Sequence, residues 1–163
     1  MPGPRVEALV AKLEKGGQRT QEILGGLSPQ EWELVVYYDA SPWTVRDVLA
    51  HFVSSEEYLR AMAQDVVGGG QGASEMLDLN AVNAAEQERL EDRPAAELLA
   101  DLATERTRTI AWAQTLDDDA LDLEGTHPAL GYANVEGFLN AIYGHHILHM
   151  REVQPVIAAA REG

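Results

Sequence analysis

Four long stretches of helical periodicity constrain the fold of this chain more than any other feature. In each stretch apolar residues recur three or four positions apart, the spacing that places them on one face of an α-helix. Helices of this kind must bury those faces against one another, which favours a helical bundle. The predicted main helices run from about Arg5 to Leu24, from Thr44 to Gly68, from Pro94 to about Leu116, and from about Asn134 onward.

The sequence therefore predicts an all-α protein, an up-and-down four-helix bundle with short extra helical segments, in one domain over residues 1–163. A polar helical pattern over Leu79–Glu91 is the main extra segment. Strand signals are confined to Leu34–Tyr38, which is short and isolated. The segment Leu121–Tyr132 carries glycine and proline and is predicted to be a loop, in which we expect His127 to be exposed.

Individual residues mark the ends of the predicted helices. Thr44 and Asp47 have the spacing of a capping box, and Gly68 follows the last apolar position of the second main helix. Pro155 lies inside the last helical pattern and cannot donate a hydrogen bond to the carbonyl of Arg151. We therefore expect the last helix to kink or end at Pro155.

The charge balance narrows the classes of partner. The chain has 12 Lys and Arg against 27 Asp and Glu, a formal net charge of −15. Nucleic acids and anionic membrane surfaces attract basic patches, so we expect neither as a partner. The sequence has no apolar stretch long enough to span a bilayer, and its start, Met-Pro-Gly-Pro-Arg, has no signal-peptide core. We expect an acidic, cytoplasmic protein.

The chain contains no cysteine. Disulfides, thiolate metal ligands and a cysteine nucleophile are therefore excluded. Any thiol chemistry would need a thiol supplied from outside the protein.

His145 and His149 are the most informative candidates for a functional site. Residues four apart on a helix lie one turn above each other, about 5–6 Å apart at Cβ, so both imidazoles can reach one metal ion. Both histidines fall within the apolar face of the last helix, where an unpaired polar ring is costly. Two interpretations remain open at this point: a pair of metal ligands, or core histidines hydrogen-bonded to neighbours.

His51 on the second main helix is the candidate third ligand, because it lies at the flank of the buried face. If the second and fourth main helices are neighbours, His51 completes a cluster with His145 and His149. Three neutral imidazoles leave a fourth coordination position open, as in catalytic metal sites. Three imidazoles suit zinc, nickel, copper and iron, so the metal stays open.

Three further residues are candidates for supporting or catalytic roles. Ser55 follows His51 by one turn and can hydrogen-bond in the same cleft. Glu56 and Glu152 can orient a ligand imidazole or act as a base, although each is more simply explained as a surface or helix-flank carboxylate. His146 has poorer spacing for a shared metal and is assigned a supporting or packing role.

The segment from Ser41 to His51, together with His145-x-x-x-His149-x-x-Glu152-Val153, resembles the DinB-like superfamily, which includes mycothiol-dependent maleylpyruvate isomerases and thiol transferases. The resemblance implies a four-helix bundle, often a homodimer, with a divalent metal held at the positions of His51, His145 and His149. In the isomerase branch a glutamate is typical where this chain has His145, and many members carry Gln in place of Glu152. The resemblance therefore implies the metal site and leaves the reaction open.

The first hypothesis from these observations is that the protein is a metal-dependent enzyme acting on a small electrophilic molecule. Either the metal (zinc, nickel or iron) binds an external low-molecular-weight thiol for S-transfer or isomerisation, or it activates water for hydrolysis. The alternative is a non-catalytic protein that sequesters a small molecule, for example in a stress response. A pocket for it is predicted from four aromatic residues, Tyr37, Tyr38, Trp43 and Tyr143. A third interpretation is a vacant or purely structural histidine cluster.

Overall fold

The computed structural model describes residues 1–163 and contains six α-helices and two small hairpins. The helices are α1 (Pro4–Gly25), α2 (Pro29–Trp32), α3 (Val45–Val67), α4 (Leu79–Leu90), α5 (Ala95–Ala113) and α6 (Val135–Glu162). The strands are β1 (Val35–Tyr37), β2 (Trp43–Thr44), β3 (Glu124–His127) and β4 (Gly131–Asn134). The helices α1, α3, α5 and α6 correspond to the four predicted main helices. No helix combines the length and apolar character needed to cross a bilayer.

The four long helices form a four-helix bundle, as predicted. Both α1 and α3 pack against α5 and α6, so the second and fourth main helices are neighbours. Contacts of Arg5 with Glu136 and of Thr20 with His146 show that α1 and α6 run in the same direction. The four directions in chain order are up, down, down, up. The bundle is as predicted, but its helices do not alternate as in the expected up-and-down order, because α4 returns the chain to the start of α3 before α5 begins.

The helices α3 and α5 also run in the same direction as each other. Arg46 near the start of α3 binds the carbonyl of Arg93, and Arg60 further along α3 binds Thr109 of α5. The helix α6 runs antiparallel to α3, as two apolar clusters show. In one cluster the beginning of α6 packs with the end of α3, and in the other the end of α6 packs with the beginning of α3.

The two hairpins correct the prediction for the connecting segments. The residues around Leu34–Tyr38 do not form an isolated strand, since β1 pairs with β2 in antiparallel fashion. The predicted loop Leu121–Tyr132 contains most of the β3–β4 hairpin, with Thr126 opposite Tyr132. Gly131 begins β4 with φ of +76°, a conformation that a residue with a Cβ rarely adopts. The pairing of β3 with β4 and the packing of both strands on α6 stabilise the hairpin. Neither contact produces an alternating apolar pattern in the sequence, so the hairpin was not predicted.

Local capping agrees with the predicted start of two helices. The Thr44 hydroxyl accepts the Asp47 N–H at 3.2 Å, and the Asp47 carboxylate accepts the Thr44 N–H at 2.9 Å. The Asn134 side chain accepts the N–H of Gly137 at 2.9 Å and caps the start of α6.

The last helix does not end at Pro155, because α6 continues through it to Glu162. Arg151 and Pro155 both lie on the exposed face, where water can hydrate the freed carbonyl. Val153 and Ile157 on the opposite face are buried and keep this part of the helix packed.

The core consists of two apolar clusters separated by a polar layer. One cluster gathers the beginning of α1, the end of α3 and the beginning of α6, and the other gathers the beginning of α3 and the end of α6. The polar layer between the clusters is formed by His51, Ser54, Ser55, Glu56, His145, His146 and His149. Both candidate ligand positions on α6 and the one on α3 therefore lie at the same level of the bundle.

Candidate metal centre

Three imidazole nitrogens converge between α3 and α6. Nε2 of His145 lies 2.9 Å from Nε2 of His51 and 3.0 Å from Nε2 of His149. The potential ligand atoms of the three residues all lie within 4.8 Å of one another. His51 is buried, and the other two are partly buried. The three histidines could hold a metal ion, and their donor set of neutral nitrogens with an open side fits a divalent transition metal.

Two hydroxyl groups orient the rings from behind. Ser55 Oγ lies 3.2 Å from Nδ1 of His145 and donates its own proton to the carbonyl of Phe52. The hydroxyl therefore accepts the Nδ1–H of His145, which leaves the Nε2 lone pair free. The Tyr37 hydroxyl lies 2.6 Å from Nδ1 of His149. Ser55 and Tyr37 thus fix the rings from the side away from the candidate metal position, the role that such partners have in metal sites.

Burial keeps the cluster uncharged. It lowers the pKa of His51 to about 3 and that of His145 to about 2, and it also lowers the pKa of His149. Repulsion between the rings adds to the shifts of His51 and His145. At neutral pH all three rings are unprotonated, the state in which imidazole binds a metal.

Only two of the four aromatic residues predicted to line a pocket lie at this cluster. Tyr37 contacts His149 edge-on, and the ring centroid of Trp43 lies 5.1 Å from that of His51. Tyr38 is 80% exposed, because it lies beyond the end of β1. Tyr143 packs against α1 near Gly16, on a different face of α6.

Glu56 is not a surface carboxylate and does not approach the three Nε2 atoms. Its side chain is 1% exposed and forms two hydrogen bonds with Arg106, at 2.6 and 3.0 Å. His146 joins this group, with Nε2 3.6 Å from Glu56 Oε2 and its ring stacked on Phe52. The periodicity of α5 could not identify Arg106 as the partner, since an arginine there reads as a surface residue.

Glu152 lies on the exposed face of α6. It makes no hydrogen bond to His149, but its negative charge acts to raise the pKa of both His149 and Tyr37. The three candidates for catalytic support therefore have different positions relative to the histidine cluster. Ser55 contacts the cluster directly, Glu152 acts on it through its charge, and Glu56 belongs to a neighbouring ion pair.

A cavity of about 470 Å³ opens onto the cluster. His51 and His145 line it, together with other residues of α3, α4, α6 and the β3–β4 hairpin. Its apolar lining includes Leu59, Leu79 and Leu148. A volume of this size accommodates a small organic molecule.

His127 contradicts the expectation of an exposed loop residue. It is 4% exposed, lines the cavity and packs edge-on against Phe138. Burial lowers its pKa to about 4. The sequence carried little to indicate this, because the hairpin that buries the ring was itself missed.

The fold and the histidine cluster together define a four-helix-bundle protein with a candidate metal centre. The chain belongs to the DinB superfamily, whose family model matches residues 12–153. The comparison with curated protein sequences gives no match.

Solved structures share this fold at low sequence identity. YfiT from Bacillus subtilis, described as a probable metal-dependent hydrolase with an unusual four-helix bundle topology, is 17% identical, with a TM-score of 0.79 over 98% of this chain and 90% of that one. The colibactin self-resistance protein ClbS, in complex with double-stranded DNA, is 13% identical, with a TM-score of 0.70 over 96% and 95%. A Streptococcus pneumoniae protein is 17% identical, with a TM-score of 0.65 over 96% and 93%.

At these identities the likeness shows the fold alone. Since ClbS forms a complex with DNA, the fold itself does not exclude nucleic acid, and its absence as a partner of this chain stays a prediction from the net charge. The homodimer and the cytoplasmic location also stay predictions.

Proposed function

We propose that this protein is a metal-dependent hydrolase of a small organic molecule, with the ion held by His51, His145 and His149. The observation that carries the proposal is the convergence of three Nε2 atoms beside a cavity of about 470 Å³ that His51 and His145 line. A purely structural metal site would be closed by four protein ligands, whereas this cluster offers three and opens to a space for substrate. The description of YfiT as a probable metal-dependent hydrolase supports the same class of reaction.

The residues around the cluster have distinct roles in this proposal. His51, His145 and His149 would hold the ion, which would supply a Lewis acid able to polarise a carbonyl group and to lower the pKa of water to about 7. Ser55 and Tyr37 hold His145 and His149 in the required orientation through their Nδ1 atoms. Glu56 does not serve as the base, because Arg106 occupies both of its carboxylate oxygens.

Metal content is the first test. Protein purified without a histidine tag and loaded with zinc, nickel or iron should hold about one ion per chain after removal of free metal. A His51→Ala/His149→Ala variant should hold almost none, while His127→Asn, which changes a buried histidine outside the cluster, should keep the wild-type content. Equal and substoichiometric metal in all three proteins would reject the site.

Turnover is the second test, and it separates hydrolysis from thiol transfer. Transfer of an external thiol is the other candidate reaction, favoured by the absence of cysteine from the chain. Hydrolysis predicts metal-dependent cleavage of 4-nitrophenyl acetate that needs no thiol. Thiol transfer predicts instead that conversion of 1-chloro-2,4-dinitrobenzene depends on an added low-molecular-weight thiol. Metal binding without either activity would favour the non-catalytic binding protein.

A further inference from the structure

The wall that α6 contributes to the cavity consists largely of very small residues. Gly137, Ala141 and Gly144 follow one another at spacings of four and three positions, so they lie on one face of the helix. All three line the cavity, together with Leu148 one turn after Gly144. The backbone of α6 therefore borders the cavity over about two turns with little side chain above it.

Gly144 leaves free space on this face. A Cβ built at Gly144 would meet no atom within 4 Å, whereas a Cβ at Gly137 would lie 3.3 Å from Oδ1 of Asn134. Because Gly144 lines the cavity, we assign this free space to the cavity. Gly144 directly precedes His145, and their Cα atoms are about 3.8 Å apart. The free space thus adjoins the histidine cluster.

The wall of the cavity carries no charge. None of its 15 lining residues is an Asp, Glu, Lys or Arg. Burial raises the pKa of Tyr58 to about 12 and lowers the pKa of His127 to about 4, so both side chains are neutral at neutral pH. A charged group against this wall would lose its hydration without gaining an opposite charge.

The polar side chains in the wall direct their polar atoms elsewhere. Nδ1 of His127 accepts two backbone N–H groups of the hairpin turn, each at 3.1 Å, and Oδ1 of Asn140 lies 3.4 Å from Nζ of Lys12 on α1. Nε2 of His127 and Oδ1 of Asn83 are both buried and do not face the cavity. The surface that a ligand would meet is therefore mainly hydrocarbon, with side chains that include Leu59, Leu79 and Leu148.

The opening of the cavity is apolar as well. Leu130 of the hairpin and Leu148 of α6 both line the cavity, yet they are 60% and 63% exposed. Covering these two leucines with an apolar ligand removes hydrocarbon surface from water, which favours binding.

We propose that the cavity holds the uncharged, apolar body of the substrate against the backbone of α6, and that Gly144 sets how much bulk fits beside His145. The inference rests on the proposed function, since it names the substrate class of the same site. Gly144 determines specificity in this proposal and takes no part in the reaction itself. An apolar cavity of about 150 Å³ already binds benzene, so about 470 Å³ leaves room for a substituted ring or a branched chain.

Three ligands of similar shape test the apolar character of the site: cumene, benzoate and benzylammonium. Affinities for the full, metal-free chain at pH 7.5 are measured by NMR titration of the backbone amides. We expect cumene to bind about 10-fold more tightly than either ion, because an ion finds no counter-charge in the wall. The cation is the stricter control, since the net charge of −15 attracts it to the protein. If either ion binds as tightly as cumene, the proposal is overturned.

Substitutions at Gly144 test its role through a change in size preference. Gly144→Leu places a side chain in the free space, so we expect the affinity for cumene to fall about 10-fold and that for benzene to fall clearly less. Gly144→Ala adds one methyl group and should shift the ratio of the two affinities in the same direction by a smaller amount. Ala159→Leu is the matched control, since Ala159 is exposed on the same helix and lies outside the cavity, and it should leave both affinities unchanged.

A wild-type ratio of cumene to benzene affinity in Gly144→Leu would reject the role of Gly144. If that variant does not fold, a wild-type ratio in Gly144→Ala rejects it in the same way. Failure of the proposed function gives a different result. In that case the metal-free chain still prefers cumene to the two ions, but the zinc-loaded chain does not cleave 4-nitrophenyl acetate.

Discussion

Glu56 and Arg106 form an ion pair in the middle of the bundle, with Nε of Arg106 2.6 Å from Oε1 of Glu56 and side chains that are 1% and 6% exposed. Arg106 also donates to the carbonyl of Leu13, so the pair joins α1, α3 and α5. An ion pair at this depth is expensive to separate, because either charge alone would remain without water.

We expect Glu56→Gln to lower the free energy of unfolding by about 3–5 kcal/mol, because it leaves the Arg106 guanidinium buried without its counter-charge. Urea unfolding of the metal-free chain measures the loss. Glu57→Gln is the matched control, since the adjacent Glu57 side chain is 54% exposed, and it should change stability by less than about 0.5 kcal/mol. Equal losses in the two variants would contradict the structural role of Glu56.

The hydrogen bond between Nδ1 of His149 and the Tyr37 hydroxyl predicts an effect on metal affinity. Tyr37→Phe removes the hydroxyl 2.6 Å from Nδ1 of His149, so we expect zinc affinity to fall about 10-fold, within the 10- to 100-fold range for loss of such partners. Competition with a chromogenic chelator gives the affinity. Tyr38→Phe changes the neighbouring, exposed tyrosine and should leave it unaltered. A similar affinity in both variants would mean that Tyr37 does not orient the ligand.

Two glycines inside helices should respond in opposite ways to alanine. A Cβ at Gly144 would meet no atom within 4 Å, so we expect Gly144→Ala to stabilise the protein by about 0.5–1 kcal/mol. A Cβ at Gly16 would lie 2.9 Å from the ring of Tyr143, where α1 crosses α6, and Gly16→Ala should destabilise it. Thermal unfolding of the two variants beside the wild type measures both changes. A stabilised Gly16→Ala would disprove the close crossing.

His127 makes stability depend on pH. Its pKa is about 4 in the folded chain and 6.5 in the unfolded chain, so between these values the unfolded state binds more protons. The contribution to stability is therefore complete above pH 6.5 and is lost as the pH falls toward 4. Between pH 7 and pH 5 this loss is about 2 kcal/mol.

His127→Asn has no such group, so comparison with it isolates the effect. Urea unfolding at pH 7 and pH 5 should show the wild type losing about 2 kcal/mol more than His127→Asn. Other titrating groups contribute to both proteins and cancel in the difference. Parallel losses would place the ring in contact with solvent and contradict its burial.

Helical periodicity was sufficient to predict the four long helices and the proximity of His145 to His149. These features depend on residues within one or two turns of each other, where spacing fixes geometry. The approach of His51 required α3 and α6 to be neighbours, which depends on the directions of all four helices. From the sequence, the cluster could be predicted only on the condition that these two helices are neighbours. In the structure α3 packs against α6, so the condition is met.

The environment of Glu56 and His127 could not be predicted from local patterns. Glu56 is buried because Arg106, 50 positions away, neutralises it. His127 is buried because a hairpin with weak strand propensity folds onto α6. In both residues a polar side chain is accommodated by a partner distant in sequence, and such partners leave no periodic signal.

The up, down, down, up order of the helices also has a consequence for the time course of synthesis. The helix α1 packs against α5 and α6, the last two long helices of the chain, and 94 positions separate His51 from His145. A growing chain therefore carries the apolar face of α1 without α5 until Ala95–Ala113 emerges, and a single histidine of the cluster for most of its translation. The three-histidine cluster is complete only when the segment containing His145 and His149 emerges, so completion of the candidate metal centre and closure of the bundle become one late event.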